Sequence, residues 1–291
     1  MGHEKAHGVG VFGVVALQEH EFRDGTLDGL VVAADDARLL QVVAAVVARH
    51  LDGSLHALAD VDNHLAVLRT LFQSVEQPGR LRGIAAAKDA EGRALVPEVG
   101  IYFGGHLLRG NRTTKQSAEE FNAFESFNYP HLVDAGVNIT YHQNRILTPS
   151  WDKPMTPHFR LDNNVIIFSL FPGIREDLIR HIIHTPNLKA IVMRTFGSGN
   201  APQSPWLLKA LKEGTRNGKV IVNISQCMQG AVEMSRYDTG YHLQEAGVIS
   251  GYDQTVESAV TKLMFLQSHY PDDPDTIRHL MVQSLRGEIT R

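Results

Sequence analysis

The most constraining feature of this 291-residue sequence is an alternation of apolar runs and amphipathic segments in its second half. The runs are almost continuously apolar and rich in β-branched residues, which is typical of strands buried on both faces. Such runs, alternating with segments of helical periodicity, favour an α/β fold built on a parallel, doubly wound sheet. The three clearest runs are Val165–Leu170, Ala190–Phe196 and Val220–Ser225.

The amphipathic segments predict the helices that connect and follow these strands. One helix is expected over Gly173–His184 and another over Gln203–Asn217. The second contains Ser204 followed by Pro205, a favourable N-cap residue before a proline at the first helical position. Residues 143–163 are rich in proline and polar residues and indicate a linker. Two more helices are predicted over Asp253–Ser268 and Asp273–Leu285, and two earlier strands over Val99–Phe103 and Val137–Thr140.

Composition excludes several classes of protein. The formal net charge is −4 and the charges are mixed, without the basic stripe that nucleic-acid binding favours. No apolar stretch approaches the ~18 residues of a membrane span, and the first residues do not predict a secretory signal. The single cysteine, Cys227, cannot form an intrachain disulfide, which suits a cytoplasmic location. We expect Cys227 to be a buried small residue.

Several short motifs carry a family resemblance from about residue 84 to the end. They are Arg109–Lys115 (RGNRTTK), Phe121–Phe124 (FNAF), Arg194–Pro202 (RTFGSGNAP), Ser225–Gly230 (SQCMQG) and Gly247–Gly251 (GVISG), with Glu257 and Lys262 beyond them. In order and at plausible spacing, these motifs resemble those of the type I, cytoplasmic-type L-asparaginases.

This resemblance implies a domain plan. It implies a remnant of the family's first domain over 84–142, a linker over 143–163 and a flavodoxin-like second domain over 164–291. Enzymes of this kind hydrolyse L-asparagine to L-aspartate and ammonia through a threonine nucleophile and an acyl-enzyme, with no metal or cofactor. They assemble as dimers of dimers, so self-association as a dimer or tetramer is expected.

Two site residues follow from the motif matches. Lys115 matches the lysine that lies desolvated beside a second threonine and lowers the effective pKa of its hydroxyl. The alternative for Lys115 is a solvated surface lysine. Asn200 matches the residue that reaches a neighbouring subunit's active site and holds the amino end of the substrate. The alternative for Asn200 is a turn residue that tolerates left-handed geometry.

The family's threonine motifs do not occur in this sequence. These are a T-G-G-T-I turn, which carries the nucleophile, and H-G-T-D-T-[ML], which supplies the second threonine and an aspartate. A G-S-Q-x-P segment is missing as well. We therefore expect that the family's first part has been replaced, at a junction near residues 83–88, and that Lys115 has no threonine to activate.

The genetic code suggests where residues 3–83 come from. When two residue numbers add up to 284, the codons of the two residues can be reverse complements of each other. Trp206 pairs in this way with Pro78, and Met228 with His56. We interpret residues 3–83 as an antisense translation of the same gene's other end. The run Gly83–Lys88 is compatible with both the sense and the antisense translation. Further pairs are Met234 with His50, Met264 with His20 and Met281 with His3, whereas Lys5, His7, Phe12, Ala45, Leu68 and Val75 are incompatible.

An antisense copy keeps the hydropathic period but was never selected to form a core. Residues 1–83 are therefore predicted to be a non-native segment, largely helical or disordered, with helical patterns over Ala37–Leu51 and Leu55–Val75. His3-Glu4-Lys5-Ala6-His7 formally matches the zinc-protease motif H-E-x-x-H. That motif needs a stable helix, a third ligand and a cleft, whereas this one is expected to lie at a frayed terminus beside Gly2 and Gly8. We therefore interpret it as a disordered polar tail and predict no metal site.

Three functional hypotheses remain from the sequence. The first is an asparaginase-family amidohydrolase by descent that does not catalyse the reaction as this chain alone. The second is a non-catalytic subunit or effector-binding module that pairs with an intact copy and donates Asn200 to its active site. The third is a fusion product that misfolds, because losing the first domain's strands exposes a sheet edge.

Overall fold

The computed structural model describes residues 14–17, 30–33, 84, 87–117, 123–148, 158, 160–234 and 238–290. The chain divides into two compact units, Met1–Phe159 and Arg160–Arg291. The H-E-x-x-H sequence and the two helical patterns before residue 83 lie outside the described residues.

Unit 1 contains a mixed six-stranded sheet whose strands are short. The strand order is β2-β1-β3-β4-β7-β8; β1 runs parallel to β3, and the other neighbouring strands are antiparallel. A separate antiparallel pair, β5 and β6, follows the central hairpin. The strands are β1 Val14–Leu17, β2 Leu30–Ala33, β3 Gly100–Phe103, β4 His106–Arg109, β5 Thr114–Lys115, β6 Phe124–Glu125, β7 Val133–Ala135 and β8 Ile139–Tyr141.

A compact apolar cluster fixes the central strands of unit 1. Leu107, Leu132 and Val133 have no exposed surface, and Ile84 and Tyr102 pack with them. Antiparallel strands in which one face is buried can carry polar residues on the other face. In β7, Asp134 is half-buried between the buried residues Val133 and Ala135, whereas β4 is buried on both faces but is only four residues long, with a polar residue at each end. Neither strand therefore has a continuous apolar run, and neither was predicted.

Unit 2 is a parallel four-stranded sheet in sequential order, β9-β10-β11-β12. Because the connections between parallel strands need crossovers, a helix lies between each pair. The strands are β9 Val165–Ser169, β10 Ala190–Thr195, β11 Val220–Ser225 and β12 Ile249–Ser250; the helices are α1 Glu176–Ile183, α2 Pro205–Arg216, α3 Asp238–Glu245, α4 Val256–His269 and α5 Pro274–Met281.

Helices cover both faces of this sheet, which confirms the predicted α/β class. Ile191 and Met193 of β10 pack against α1, α2 and α3 on one face. Ala190 and Val192, which alternate with them along the strand, pack against α4 and α5 on the other. Burial on both faces explains why β9, β10 and β11 were predictable from apolar runs alone.

The one helix start for which capping signals were predicted from the sequence agrees with them in part, whereas the helix predicted from Gly173 begins at Glu176. Pro205 is at the first helical position of α2, but the Ser204 side chain makes no capping hydrogen bond. In contrast, Thr255 caps α4 and Asp273 caps α5, each through a side-chain oxygen. None of the five helices in the described part of the chain has the length and apolarity that a membrane span needs.

Candidate ligand-binding turn and catalytic lysine

Asn200 lies in a tight turn that follows β10 at the carboxyl edge of the unit 2 sheet. Two backbone hydrogen bonds close the turn: the Asn200 amide donates to the Phe196 carbonyl at 2.8 Å, and the Phe196 amide donates back at 3.0 Å. Gly197 and Gly199 have φ values of 51° and 107°, a region that favours glycine. Open α/β sheets bind ligands at this edge, so the turn is in a suitable place for a site.

Side chains from the neighbouring strand β11 hold this turn in position. The Ser225 hydroxyl donates to the Gly197 carbonyl at 2.6 Å, and the Asn223 side-chain amide donates to the Gly199 carbonyl at 3.1 Å. Thr195 at the end of β10 completes the network, because its hydroxyl donates to the side-chain oxygen of Asn223 at 2.6 Å. Both Thr195 and Asn223 are fully buried.

Sequence reasoning missed the supporting role of Asn223. The available signal was a single amide residue inside the otherwise apolar run of β11. A buried amide requires hydrogen-bond partners, and here it finds them in β10 and in the turn after β10. Hydrogen bonds within unit 2 therefore hold the turn in position.

A second loop packs against the turn and leaves no room for a side chain at Gly199. A Cβ atom added there would lie 2.7 Å from Cγ1 of Val232 and 3.2 Å from Nδ2 of Asn223. The Glu233 amide donates to the Ser198 carbonyl at 3.0 Å, which joins the two loops. Gly199 is thus required both for its backbone conformation and for this close approach.

The expectation that Cys227 is buried is wrong. The residue is exposed. It lies just beyond the last residue of β11, where the chain leaves the sheet, and its backbone amide donates to the Ser225 hydroxyl at 2.9 Å. The run of buried residues ends at Ser225, so Cys227 belongs to the loop rather than to the core.

Lys115 is the last residue of β5 and has an exposed side chain. Its Nζ lies 5.8 Å from the centre of the Phe124 ring, across the β5–β6 pair. Phe124 in turn contacts Phe103 edge to face, with ring centres 5.4 Å apart. The exposed Lys115 side chain therefore lies beside an aromatic surface formed by these two rings.

The two arginines of the same RGNRTTK segment are buried, and the sequence reasoning assigned them no role. Arg109 forms an ion pair with Glu98, with Nε and Oε2 2.5 Å apart, and both side chains are almost fully buried. Its guanidinium also lies over the ring of Tyr129, 4.2 Å from the ring centre. Arg112 donates to the Asn128 carbonyl at 2.8 Å. These contacts fix the chain on either side of Lys115.

The two predicted site residues come from separate units, Lys115 from unit 1 and Asn200 from unit 2. The molecule is thus a two-unit α/β protein with a hydrogen-bonded loop at the carboxyl edge of a parallel sheet.

Residues 80–147 match the family model described as "Asparaginase, N-terminal", and residues 164–281 match "Glutaminase/Asparaginase C-terminal domain". From residue 80 onward the chain belongs to the asparaginase family.

Individual relatives agree with this assignment. The chain is 42% identical over 195 residues to L-asparaginase 1 of Escherichia coli, covering 67% of this chain and 57% of that protein. It is 38% identical over 199 residues to the mouse 60 kDa lysophospholipase, covering 68% of this chain and 35% of the relative. The chain therefore spans less than two thirds of the length of these relatives.

Solved structures give the same result. L-asparaginase I from Vibrio cholerae superposes with a TM-score of 0.60 at 41% identity, covering 67% of this chain and 58% of that one. The thermostable L-asparaginase from Thermococcus kodakarensis superposes with a TM-score of 0.63 at 30% identity, covering 75% and 64%.

Proposed function

We propose that this chain descends from an amidohydrolase that converts L-asparagine and water to L-aspartate and ammonia. The observation that carries the proposal is the preformed Asn200 turn, held by Ser225 and Asn223 at a ligand-binding edge. This chain matches both asparaginase family models, and a relative named L-asparaginase 1 is 42% identical to it over 195 residues. The substrate class is therefore a small amino acid with a side-chain amide.

The 291-residue chain alone does not carry out this hydrolysis. Its sequence contains neither of the threonine motifs that the family resemblance requires, so the family's nucleophile is missing. Removing a covalent nucleophile typically costs several orders of magnitude in rate.

An assay of ammonia release tests this proposal. Purified chain is incubated with L-asparagine, and ammonia is followed by a coupled enzyme assay. The expected rate equals that of buffer, for the natural chain and for Lys115→Met alike. Lys209→Met, which changes another exposed lysine on α2, is the matched control. A rate that is present in the natural chain and in Lys209→Met but absent in Lys115→Met overturns the proposal.

A second candidate function is a non-catalytic subunit that donates Asn200 to an intact copy. The formation of the turn from unit 2 residues alone favours it, because unit 2 can then present Asn200 whatever the state of unit 1. Such a subunit forms mixed dimers or tetramers with an intact relative. Native mass spectrometry of the chain mixed with E. coli L-asparaginase 1 tests this, and the absence of any mixed species contradicts it.

Rescue of a defective partner separates donation from simple association. The intact relative is changed to alanine at the position that aligns with Asn200, which would remove the corresponding side chain. Adding this chain is expected to restore part of the lost activity, whereas adding the chain with Asn200→Ala is not.

We also infer a cytoplasmic location, which the single cysteine supports.

A further inference from the structure

A cluster of three histidines around one carboxylate lies on the sheet of unit 1. Nδ1 of His106 is 2.7 Å from Oδ1 of Asp134, and Nδ1 of His131 is 3.2 Å from the same oxygen. Nε2 of His142 is 2.7 Å from the other carboxylate oxygen. The proposed function uses none of these residues.

The backbone of the sheet brings the four residues together. His106 on β4 and Asp134 on β7 are direct partners in the antiparallel register. His131 lies three positions before Asp134, and His142 immediately follows β8, which pairs with β7. The His142 amide donates to the Leu132 carbonyl at 3.0 Å, and Leu132 is fully buried. The cluster therefore rests on a packed part of unit 1.

The side chains are close and yet accessible to solvent. The rings of His106 and His131 contact each other at a tilt of 34°, with centres 4.0 Å apart. Their side chains are 44% and 30% exposed, and that of Asp134 is 40% exposed. An ion could therefore reach the cluster without any opening of the fold.

The set of donor atoms matches a particular class of ion. Imidazole nitrogen with carboxylate oxygen is a ligand combination that suits zinc and the neighbouring divalent transition metals. One potential ligand atom from each of His106, His131 and Asp134 lies within 4.8 Å of the other two. Ligands about 2.05 Å from a tetrahedral zinc ion are about 3.3 Å apart, so small side-chain rotations would complete the geometry.

We propose that His106, His131 and Asp134 bind a divalent transition metal of the zinc class, with His142 orienting the carboxylate from behind. Three protein ligands leave a fourth position for solvent or for a ligand from outside the chain. His142 has the position of a group that hydrogen-bonds a metal-ligating carboxylate and fixes its direction.

The metal would join segments that are distant in sequence. It would link β4 to β7 and to the turn before β7, and so stabilise the folded form of unit 1 over the unfolded form. The sequence predicted no metal site because the histidines follow no ligand spacing along the chain. The pairing of β4 with β7 and of β7 with β8 creates the cluster.

Cobalt(II) is the probe for the test, because it substitutes for zinc and its visible absorption reports the coordination geometry. The full chain is titrated with Co²⁺, and a saturable visible absorption band is expected at one equivalent, lost on adding Zn²⁺. His131→Gln and Asp134→Asn are expected to remove the band. His142→Gln should weaken binding by about 10–100-fold, as changes to such supporting groups typically do.

The H-E-x-x-H sequence near the amino terminus provides the matched control. A His3→Gln, His7→Gln double variant removes two histidines of the chain's fifteen but leaves the cluster intact, so its cobalt spectrum is expected to match that of the natural chain. Each variant is checked by far-UV circular dichroism, and His106→Gln is the substitute if Asp134→Asn fails to fold. No visible band in the natural chain, or a band lost only in the His3, His7 double variant, overturns the proposal.

Discussion

Each unit of the molecule contains a buried ion pair that holds an irregular segment in place. In unit 1, Glu98 pairs with Arg109, and its carboxylate also accepts the amide of Leu147 at 2.6 Å. In unit 2, Lys262 on α4 pairs with Glu288 at 2.6 Å, near the end of the chain. Removing one member of a buried pair leaves a charge without its partner, so both pairs are sensitive to single changes.

Arg109→Met should destabilise unit 1 by about 3–5 kcal/mol, because Glu98 is then buried without a counter-charge. Hydrogen exchange at the amides of β4 and β7, read by mass spectrometry, measures the change. Arg93→Met breaks an exposed pair with Asp89 and is the control, for which no change is expected. Equal exchange in the two variants would contradict the assignment of a structural role to Arg109.

The pair in unit 2 predicts a dependence of stability on pH. Burial raises the pKa of Glu288, but Lys262 and the amides of Leu285 and Arg286 outweigh it, so the pKa lies below its ordinary value. Burial lowers the pKa of Lys262, although Glu288 opposes this. Because the pKa of Glu288 is lower in the folded state, its stabilisation is present above the unfolded pKa of about 4.3 and disappears as pH falls through the folded value.

Glu288→Gln should therefore destabilise unit 2 at neutral pH and make its stability less dependent on pH in the acid range. Urea unfolding between neutral pH and about pH 3 measures both effects, with Trp206 fluorescence as the probe in a Trp151→Phe background. Asp272→Asn changes an exposed carboxylate and should keep the acid dependence of the natural chain. If the unfolding free energy of Glu288→Gln depends on acid pH as strongly as that of the natural chain, the attribution of this dependence to Glu288 is wrong.

At the scale of elements, the turn after β10 depends on glycine for two separate reasons. Gly199 combines a φ of 107° with the contact to Val232, whereas Gly218, after α2, has a φ of 83° and open space around its missing side chain. Comparing alanine at the two positions separates backbone strain from crowding.

Gly199→Ala should destabilise unit 2 more than Gly218→Ala does, by about 1–3 kcal/mol, which is the usual cost of overpacking. The same Trp206 unfolding experiment measures both variants. In the full chain, Gly199→Ala should also reduce rescue of the defective relative, because the turn that presents Asn200 is displaced. Equal loss of stability in the two variants would mean that Val232 moves away freely.

The strands that were predicted most accurately from the sequence are those with both faces buried. Residues Val220–Ser225 form β11 within the predicted bounds because both faces of that strand are covered. Strand β4 and helix α3 were missed, since one is short and half polar and the other is eight residues long with weak periodicity. Of the site, the Asn200 turn was predicted by its motif, but Asn223 and the histidine cluster depend on strand register, which a single sequence does not encode locally.

For the whole molecule, the two units have separate cores, and unit 2 needs nothing before Arg160 to complete its own. Its 132 residues, 160–291, include a sheet with both faces covered, a size and architecture typical of domains that fold alone. Unit 1 differs, because its strand β3 pairs with β1, which belongs to the segment before residue 84.

Deleting residues 1–83 should therefore leave the unfolding of unit 2 unchanged and increase hydrogen exchange in β3, which loses its parallel partner. Trp206 fluorescence in the Trp151→Phe background follows unit 2, and exchange at Gly100–Phe103 follows β3. If the third hypothesis from the sequence is right and the first segment makes the chain misfold, the deletion also raises the soluble yield. Loss of the unit 2 transition on deletion would instead mean that folding of unit 2 depends on the first segment, contrary to its self-contained core.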